Sequence, residues 1–309
     1  MANLIDVTKE FGTEEACLAY LEKLRWPSGV CCLNCGSDRI SRIRSKGRGG
    51  TTRHLYQCLE KGCRHQFTAK VGTIFNDSHL PLEKWFLAVA LMCDAKKSLS
   101  ALQMQRHLDV AYRTAWYLCH RIRKAMEQEG GIFGGTVEVD ETFVGGRFDK
   151  RRKRGPYDKQ AVVGLVKRAQ DDESSKVRAF PIPTPSKAVL VGVVKDHVAP
   201  DAKVYTDEYG AYSILDKHGY LHETVKHKAL QWRRGDVHTN SIENFWSLFK
   251  RGLIGSFHKV SVKHLHRYLD EFSYRFNGRG LDLFTPTLRQ LVGTPKMTYR
   301  RLVATDSAS

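Results

Sequence analysis

The stretch TVEVDETFVG, residues 136–145, decides how the second half of this chain is read. Apolar and polar residues alternate along it, the period of a strand with two different faces. Glu138 and Asp140 then share one face, and Glu141 points to the other. A carboxylate set among valines is costly to bury unless it is paired or bound to metal, so Asp140 needs a reason to be there. Working outward, AVVGLVKR (161–168) and KVRAFPIP (176–183) read as strands, and SKAVLVGVVKDHV (186–198) as a valine-rich helix. AKVYTDE (202–208) reads as a strand, YGAYSILDKHG (209–219) as a helix and ETVKHK (223–228) as a strand. NSIENFWSLFKRGL (240–253) and SVKHLHRYLDEFSYRFN (261–277) have helical periodicity. Three consecutive strands, then alternating helix and strand, predict an α/β fold with a mixed sheet flanked by helices on both faces.

Two further acids stand at element boundaries. Asp207 closes the apolar strand VYTD, where it reads equally as an N-cap of the segment that follows. Glu243 lies one turn into a helix, where it reads equally as half of a capping box with Asn240. Asp140 and Asp207 are 67 residues apart, Asp207 and Glu243 36, and Lys250 follows Glu243 by seven. At ~100° per residue, seven residues return Lys250 to the helix face of Glu243, two turns on. Two-metal phosphodiester chemistry needs carboxylates that converge from separate elements on ions about 4 Å apart. Asp140, Asp207 and Glu243 are the candidate ligands, Mg²⁺ or Mn²⁺ the candidate ion, and Lys250 a candidate phosphate contact.

The N-terminal half carries a different metal pattern. Cys32-x2-Cys35 and Cys58-x4-Cys63 are separated by 22 residues, enough for a two-stranded hairpin. Four thiolates suit tetrahedral zinc and leave no open position, so the zinc is expected to be structural. Cys31 adjoins Cys32 and His65 follows Cys63, but Cys32 is the one that makes the x2 knuckle with Cys35. Arg39, Arg42, Arg44, Lys46, Arg48 and Arg53 lie between the pairs, around a turn at Gly47, Gly49 and Gly50, and residues 65–75 are expected to complete the ribbon. TEEACLAYLEKLR (13–25) precedes it as a short amphipathic helix. Residues 82–95, 98–108 and 111–126 are helical, the last two joined by an Asp109-Val110 turn as in a helix-turn-helix. Arg113, Thr114 and Tyr117 sit early on the second of these, where base contacts are made.

Lys and Arg number 50 against 33 Asp and Glu, a net charge of +17, while 41% of residues are hydrophobic. The chain is globular, and its excess charge is best relieved by a polyanion, above all nucleic acid. The basic run at 150–154, with Arg151, Arg152 and Lys153, is a candidate backbone-phosphate contact or simply a solvated loop. No long apolar run or secretory leader is visible, so a cytoplasmic protein with no membrane partner is expected, where cysteines serve as metal ligands. No phosphate-binding Gly-x4-Gly-Lys loop is present. The organisation expected is residues 1–75 as helix plus zinc ribbon, 76–130 as the helical DNA-binding segment, 131–290 as the catalytic domain and 291–309 as a tail.

On CLNCG (32–36), Cys58-x4-Cys63, VEVDETFVGG (137–146), VYTDEYGAY (204–212) and HTNSIENFWSLFKRG (238–252), the chain resembles a family of bacterial insertion-sequence transposases. These join an N-terminal zinc ribbon to a DDE catalytic domain of ribonuclease H-like fold. The resemblance runs from about residue 15 to 280. It implies DNA cleavage at element ends, attack of the freed 3′-hydroxyl on target DNA, and a dimer or larger homo-oligomer on DNA. It also implies Asp140, Asp207 and Glu243 as metal ligands and Lys250 as a phosphate contact. Some relatives use Asn at the third position, and Asn240 is a candidate secondary ligand. The competing readings are a zinc-ribbon and helix-turn-helix regulator without catalysis, and a ribonuclease H-like nuclease that hydrolyses without joining.

Overall fold

The computed structural model describes residues 3–46, 52–128, 130–145, 159–170, 173–225 and 234–304. They fall into two units: Met1–Asp94 with Ala101–Ala125 and Asp282–Ser309, and Ala95–Ser100 with Met126–Leu281. No helix among the described residues is long and apolar enough to cross a membrane.

The first unit begins with α1 (Leu4–Glu10) and α2 (Glu14–Arg25), each started by a side-chain cap, Asn3 and Thr13. The ribbon follows as β1 (Ile40–Lys46), β2 (Thr52–Cys58) and β3 (Gln66–Phe67), all antiparallel. Its core is small: Tyr56 stacks on Phe67 at 5.6 Å between ring centroids, and Trp26 meets both edge-on. So little apolar area leaves the ribbon in need of a staple. Next come α3 (Leu82–Asp94), α4 (Ala101–Leu108) and α5 (Tyr112–Ala125). Asp109 makes the turn between α4 and α5 at φ 48°, a left-handed conformation that Asp tolerates. Arg121 of α5 is buried, with its guanidinium 4.5 Å from the Trp85 ring and bonded to the Ile74 carbonyl.

The second unit is built on β4 (Thr136–Val144), β5 (Gln160–Lys167), β6 (Lys176–Ile182), β7 (Lys203–Thr206) and β8 (Leu221–Thr224), in the order β6-β5-β4-β7-β8. β4, β5 and β6 are antiparallel; β7 and β8 run parallel to β4. Between β6 and β7, α6 (Lys187–His197) covers one face, packing Leu190 and Val194 on Val137 and Val139. The other face is covered by α7 (Asn240–Gly252) and α8 (Val262–Asn277), whose Ile242, Phe245, Phe249 and Phe272 meet Val162 and Val166. This is the mixed sheet, clothed on both faces, that the strand pattern predicts. The alternation in β4 explains it: valines at 137 and 139 go to the α6 side, and Glu138 and Asp140 face α7. Opposite Asp140 on β5 stands Gly164, where a Cβ would fall 2.6 Å from Trp246 and 2.7 Å from Ile242. Only glycine lets α7 lie this close to the sheet beside Asp140. After α8 the chain returns to the first unit as α9 (Phe284–Gly293) and α10 (Tyr299–Val303), with Phe284 against Phe11 and Phe86.

The structure departs from the expectations in several places. Residues 209–219 form two 3-10 turns, Gly210–Tyr212 and Asp216–His218, rather than a helix. The buried residues Tyr212 and Leu215 recur at three, the 3-10 period, and Gly219 ends the segment in a left-handed conformation. The third ribbon strand is only Gln66–Phe67; the remainder of 65–75 is a run of turns closed by hydrogen bonds such as Thr73 N–H to Lys70. The last strand is Leu221–Thr224, and residues 226–228 of the segment expected there lie outside the described residues.

Candidate active site and zinc site

Asp140, Asp207 and Glu243 come from three elements of the second unit. Glu138 on β4 pairs with Tyr205 on the parallel β7, so Asp140 and Asp207 each lie two residues further along neighbouring chains. Asp207 follows the last residue of β7, and its Oδ1 accepts the Tyr209 amide at 2.9 Å. That closes a tight turn without starting an α-helix, so the N-cap alternative is not realised. Glu243 lies in the first turn of α7 and accepts the Thr239 hydroxyl at 2.8 Å. The capping box with Asn240 is not realised either: Thr239 is the N-cap, and Asn240 is the exposed first residue of the helix. Lys250 is exposed near the end of α7.

Electrostatics ties the three carboxylates together. Burial pushes the Asp140 carboxyl up to about 7, and the charges of Glu141, Asp207 and Glu243 add to the rise. A hydrogen bond from a backbone amide pulls it back down. Burial also raises Glu141, with Asp207 adding to it, while the Tyr212 hydroxyl at 2.6 Å pulls it back down. A half-buried group of carboxylate oxygens is the donor set that hard divalent ions such as Mg²⁺ or Mn²⁺ take. Glu138, although on the same face as Asp140, is fully buried and turned to the amides of Ser241 and Ile242.

In the ribbon, Cys32, Cys35, Cys58 and Cys63 place their sulfurs within 4.8 Å of one another. They are the one set of three or more metal-ligating side chains at that spacing among the described residues. The Cys32–Cys63 and Cys35–Cys58 pairs stand 3.7 and 3.6 Å apart. A zinc tetrahedron with bonds near 2.3 Å has edges of about 3.8 Å, so the cluster fits structural zinc. The Asn34 amide groups point at Cys32 and Cys63, each at 3.4 Å, the kind of outer-shell support that thiolate ligands take. His65 stacks on Phe67 and is not in the cluster.

Of the residues read as DNA contacts, Arg113 and Thr114 are exposed on α5, with the Arg113 guanidinium 4.0 Å from the Tyr299 ring. Tyr117 is half-buried and donates its hydroxyl to the Met297 carbonyl. Arg151, Arg152 and Lys153 lie outside the described residues. Sequence reasoning missed Tyr212 and Arg168. Arg168 stands at the end of the apolar strand β5 and reaches Glu138, Asp236 and His238. A lone arginine closing a strand that ends beside an acid-bearing strand was the signal available.

Two family models match the chain. Residues 132–277 match the ISXO2-like transposase domain, and residues 12–66 match the transposase zinc-ribbon domain. The chain is 30% identical over 284 residues to an uncharacterized protein in transposable element ISH50 of Halobacterium salinarum, covering 86% of this chain and 92% of that one. It is 32% identical over 117 residues to an uncharacterized transposase-like protein of Haemophilus influenzae, covering 38% of this chain and 94% of that one. Ribbon, sheet and sequence agree, and the chain belongs to the insertion-sequence transposase family in which a transposase zinc ribbon precedes an ISXO2-like transposase domain.

Proposed function

We propose that this protein cuts DNA at the ends of its element and joins the freed 3′-hydroxyl to target DNA, with Mg²⁺ or Mn²⁺ held by Asp140, Asp207 and Glu243. The observation that supports the reading is the half-buried Asp140 carboxyl, raised to about 7 by burial, with the charges of Glu141, Asp207 and Glu243 adding to the rise. Bound divalent ions supply the Lewis acidity that activates an attacking oxygen and stabilises a leaving one. The chain's own part is position. Strand β4 fixes Asp140, the turn after β7 fixes Asp207, and the first turn of α7 fixes Glu243.

Ions held by these carboxylates would offset the charge of the scissile phosphodiester lying in line there, and water displaces the 3′-oxygen at the element end. The same geometry then serves the 3′-hydroxyl, which forms one P–O bond to the target as one target P–O bond breaks. Bond count is conserved in the joining step, so no nucleoside triphosphate is required. Lys250 contacts a backbone phosphate beside the carboxylates. Arg113 and Thr114, and the basic residues Arg151, Arg152 and Lys153, contribute further DNA contacts. A homodimer or larger assembly holds both ends at once.

A donor plasmid carrying the gene with its own flanking DNA tests this in cells. Insertions recovered with wild type and none with Asp207→Asn are expected. Equal recovery from the two would contradict the reading.

A further inference from the structure

The second unit contains a buried ionic latch that no step described so far uses. Glu138, 0% exposed in the middle of β4, spends both oxygens. Oε2 accepts the amides of Ser241 at 2.8 Å and Ile242 at 3.0 Å, two of the open N–H groups at the start of α7. Oε1 accepts the Ser241 hydroxyl at 3.0 Å and Arg168 Nε at 2.6 Å. A negative charge at this helix end is stabilised further by the helix dipole.

Arg168 is the second half of the latch. Its Nη1 donates to the Asp236 carbonyl at 2.6 Å, and its Nη2 to the His238 carbonyl at 2.7 Å. Nη2 is also 2.7 Å from His238 Nδ1. The same Nδ1 stands 3.3 Å from Glu138 Oε1. The guanidinium lies 4.8 Å from the Tyr205 ring of β7. One arginine therefore joins β4, β7 and the segment that leads into α7.

We infer that Glu138 and Arg168 are positioning residues for the metal-holding carboxylates. The assignment rests on the reading of Asp140, Asp207 and Glu243 given above. Asp140 is two residues from Glu138 on β4, Asp207 is two from Tyr205, and Glu243 is two from Ser241 on α7. Each carboxylate is thus one short step from an atom that the latch fixes. Thr239 precedes α7 next to His238 and donates to Glu243, which carries the restraint to the third acid. Groups behind a ligand that fix its orientation typically matter about 10- to 100-fold in metal affinity.

The test is Mn²⁺ titration by calorimetry on zinc-loaded full-length protein, at a temperature where a melt shows each variant folded. Wild type is compared with Asp207→Asn, Glu138→Gln and Arg168→Lys. Gln keeps one acceptor for the helix but no charge for Arg168, and Lys cannot span three partners. The expected result is Mn²⁺ affinity weakened about 10- to 100-fold in both latch variants, as for outer-shell groups elsewhere. Wild type and Asp207→Asn that bind Mn²⁺ alike overturn the carboxylate reading and the latch with it. Wild type that binds, Asp207→Asn that does not, and latch variants equal to wild type overturn the latch alone. Should Glu138→Gln lose its melt, Arg168→Lys, which leaves the helix cap in place, decides by the same titration.

Discussion

Tyr212 donates its hydroxyl to Oε2 of Glu141 across 2.6 Å, from a fully buried ring to the strand residue next to Asp140. The bond ties the 3-10 turn after Asp207 to β4, so two of the three candidate ligands share a brace. Burial raises the Tyr212 hydroxyl well above its ordinary range, and Glu141 adds to the effect, so Tyr212 remains a donor at any working pH.

Tyr212→Phe removes that donor and leaves a half-buried carboxylate short of a partner, at a cost of about 2 kcal/mol. Thermal melting should show the loss. Burial raises Glu141 and the Tyr212 hydroxyl opposes it, so the Glu141 carboxyl should titrate higher in the variant when followed by carbon NMR. An unchanged melt and titration would show that the bond is not formed in solution.

Asp140 gives stability a pH dependence of definite sign. Its folded value, about 7, lies above the ordinary 3.8, so the folded state binds more protons between the two. That contribution is fully present below about 4 and is lost as pH rises through about 7. Without divalent ions, Asp140→Asn should therefore melt above wild type at pH ~8, with the gap narrowing as pH falls toward ~4. Mg²⁺ should raise the wild-type melt at the higher pH and do little at the lower, because protons and metal compete for one carboxyl. A gap independent of pH would be inconsistent with a half-buried, proton-binding Asp140.

The ribbon should depend on its metal. One zinc per chain is expected, released by Cys58→Ser or by a strong chelator. The amide of Cys58, bonded to the His65 carbonyl at 2.9 Å, should then lose protection in hydrogen exchange, because the small aromatic core cannot hold three strands alone. Full protection after zinc removal would show that the Trp26, Tyr56 and Phe67 cluster suffices.

Much of this was legible because it is local. The cysteine knuckles announce themselves by spacing, and Asp140 stands out as a carboxylate among valines. The helix Lys187–His197 could be read despite its valines, with Ser186 placed to cap it. Residues 209–219 misled because a 3-10 turn and an α-helix bury nearly the same positions over so short a span. The latch was illegible for another reason: Glu138 and Arg168 are 30 residues apart, and their meeting depends on strand register. Asn240 and Glu243 stand three residues apart in the first turn of α7, so spacing alone does not separate them as third-position candidates.

The central claim is that Asp140, Asp207 and Glu243 act as one metal-holding set for strand transfer. Its most direct measurement uses purified protein, labelled element-end oligonucleotides, a supercoiled target plasmid and Mn²⁺, scoring end-to-target joined product. The expected result is joining by wild type and by Asn240→Ala, and loss of about 100-fold or more in Asp140→Asn, Asp207→Asn and Glu243→Gln alike. Wild-type levels of joining from any of those three carboxylate variants would contradict it, and loss confined to Asn240→Ala would move the third ligand to Asn240.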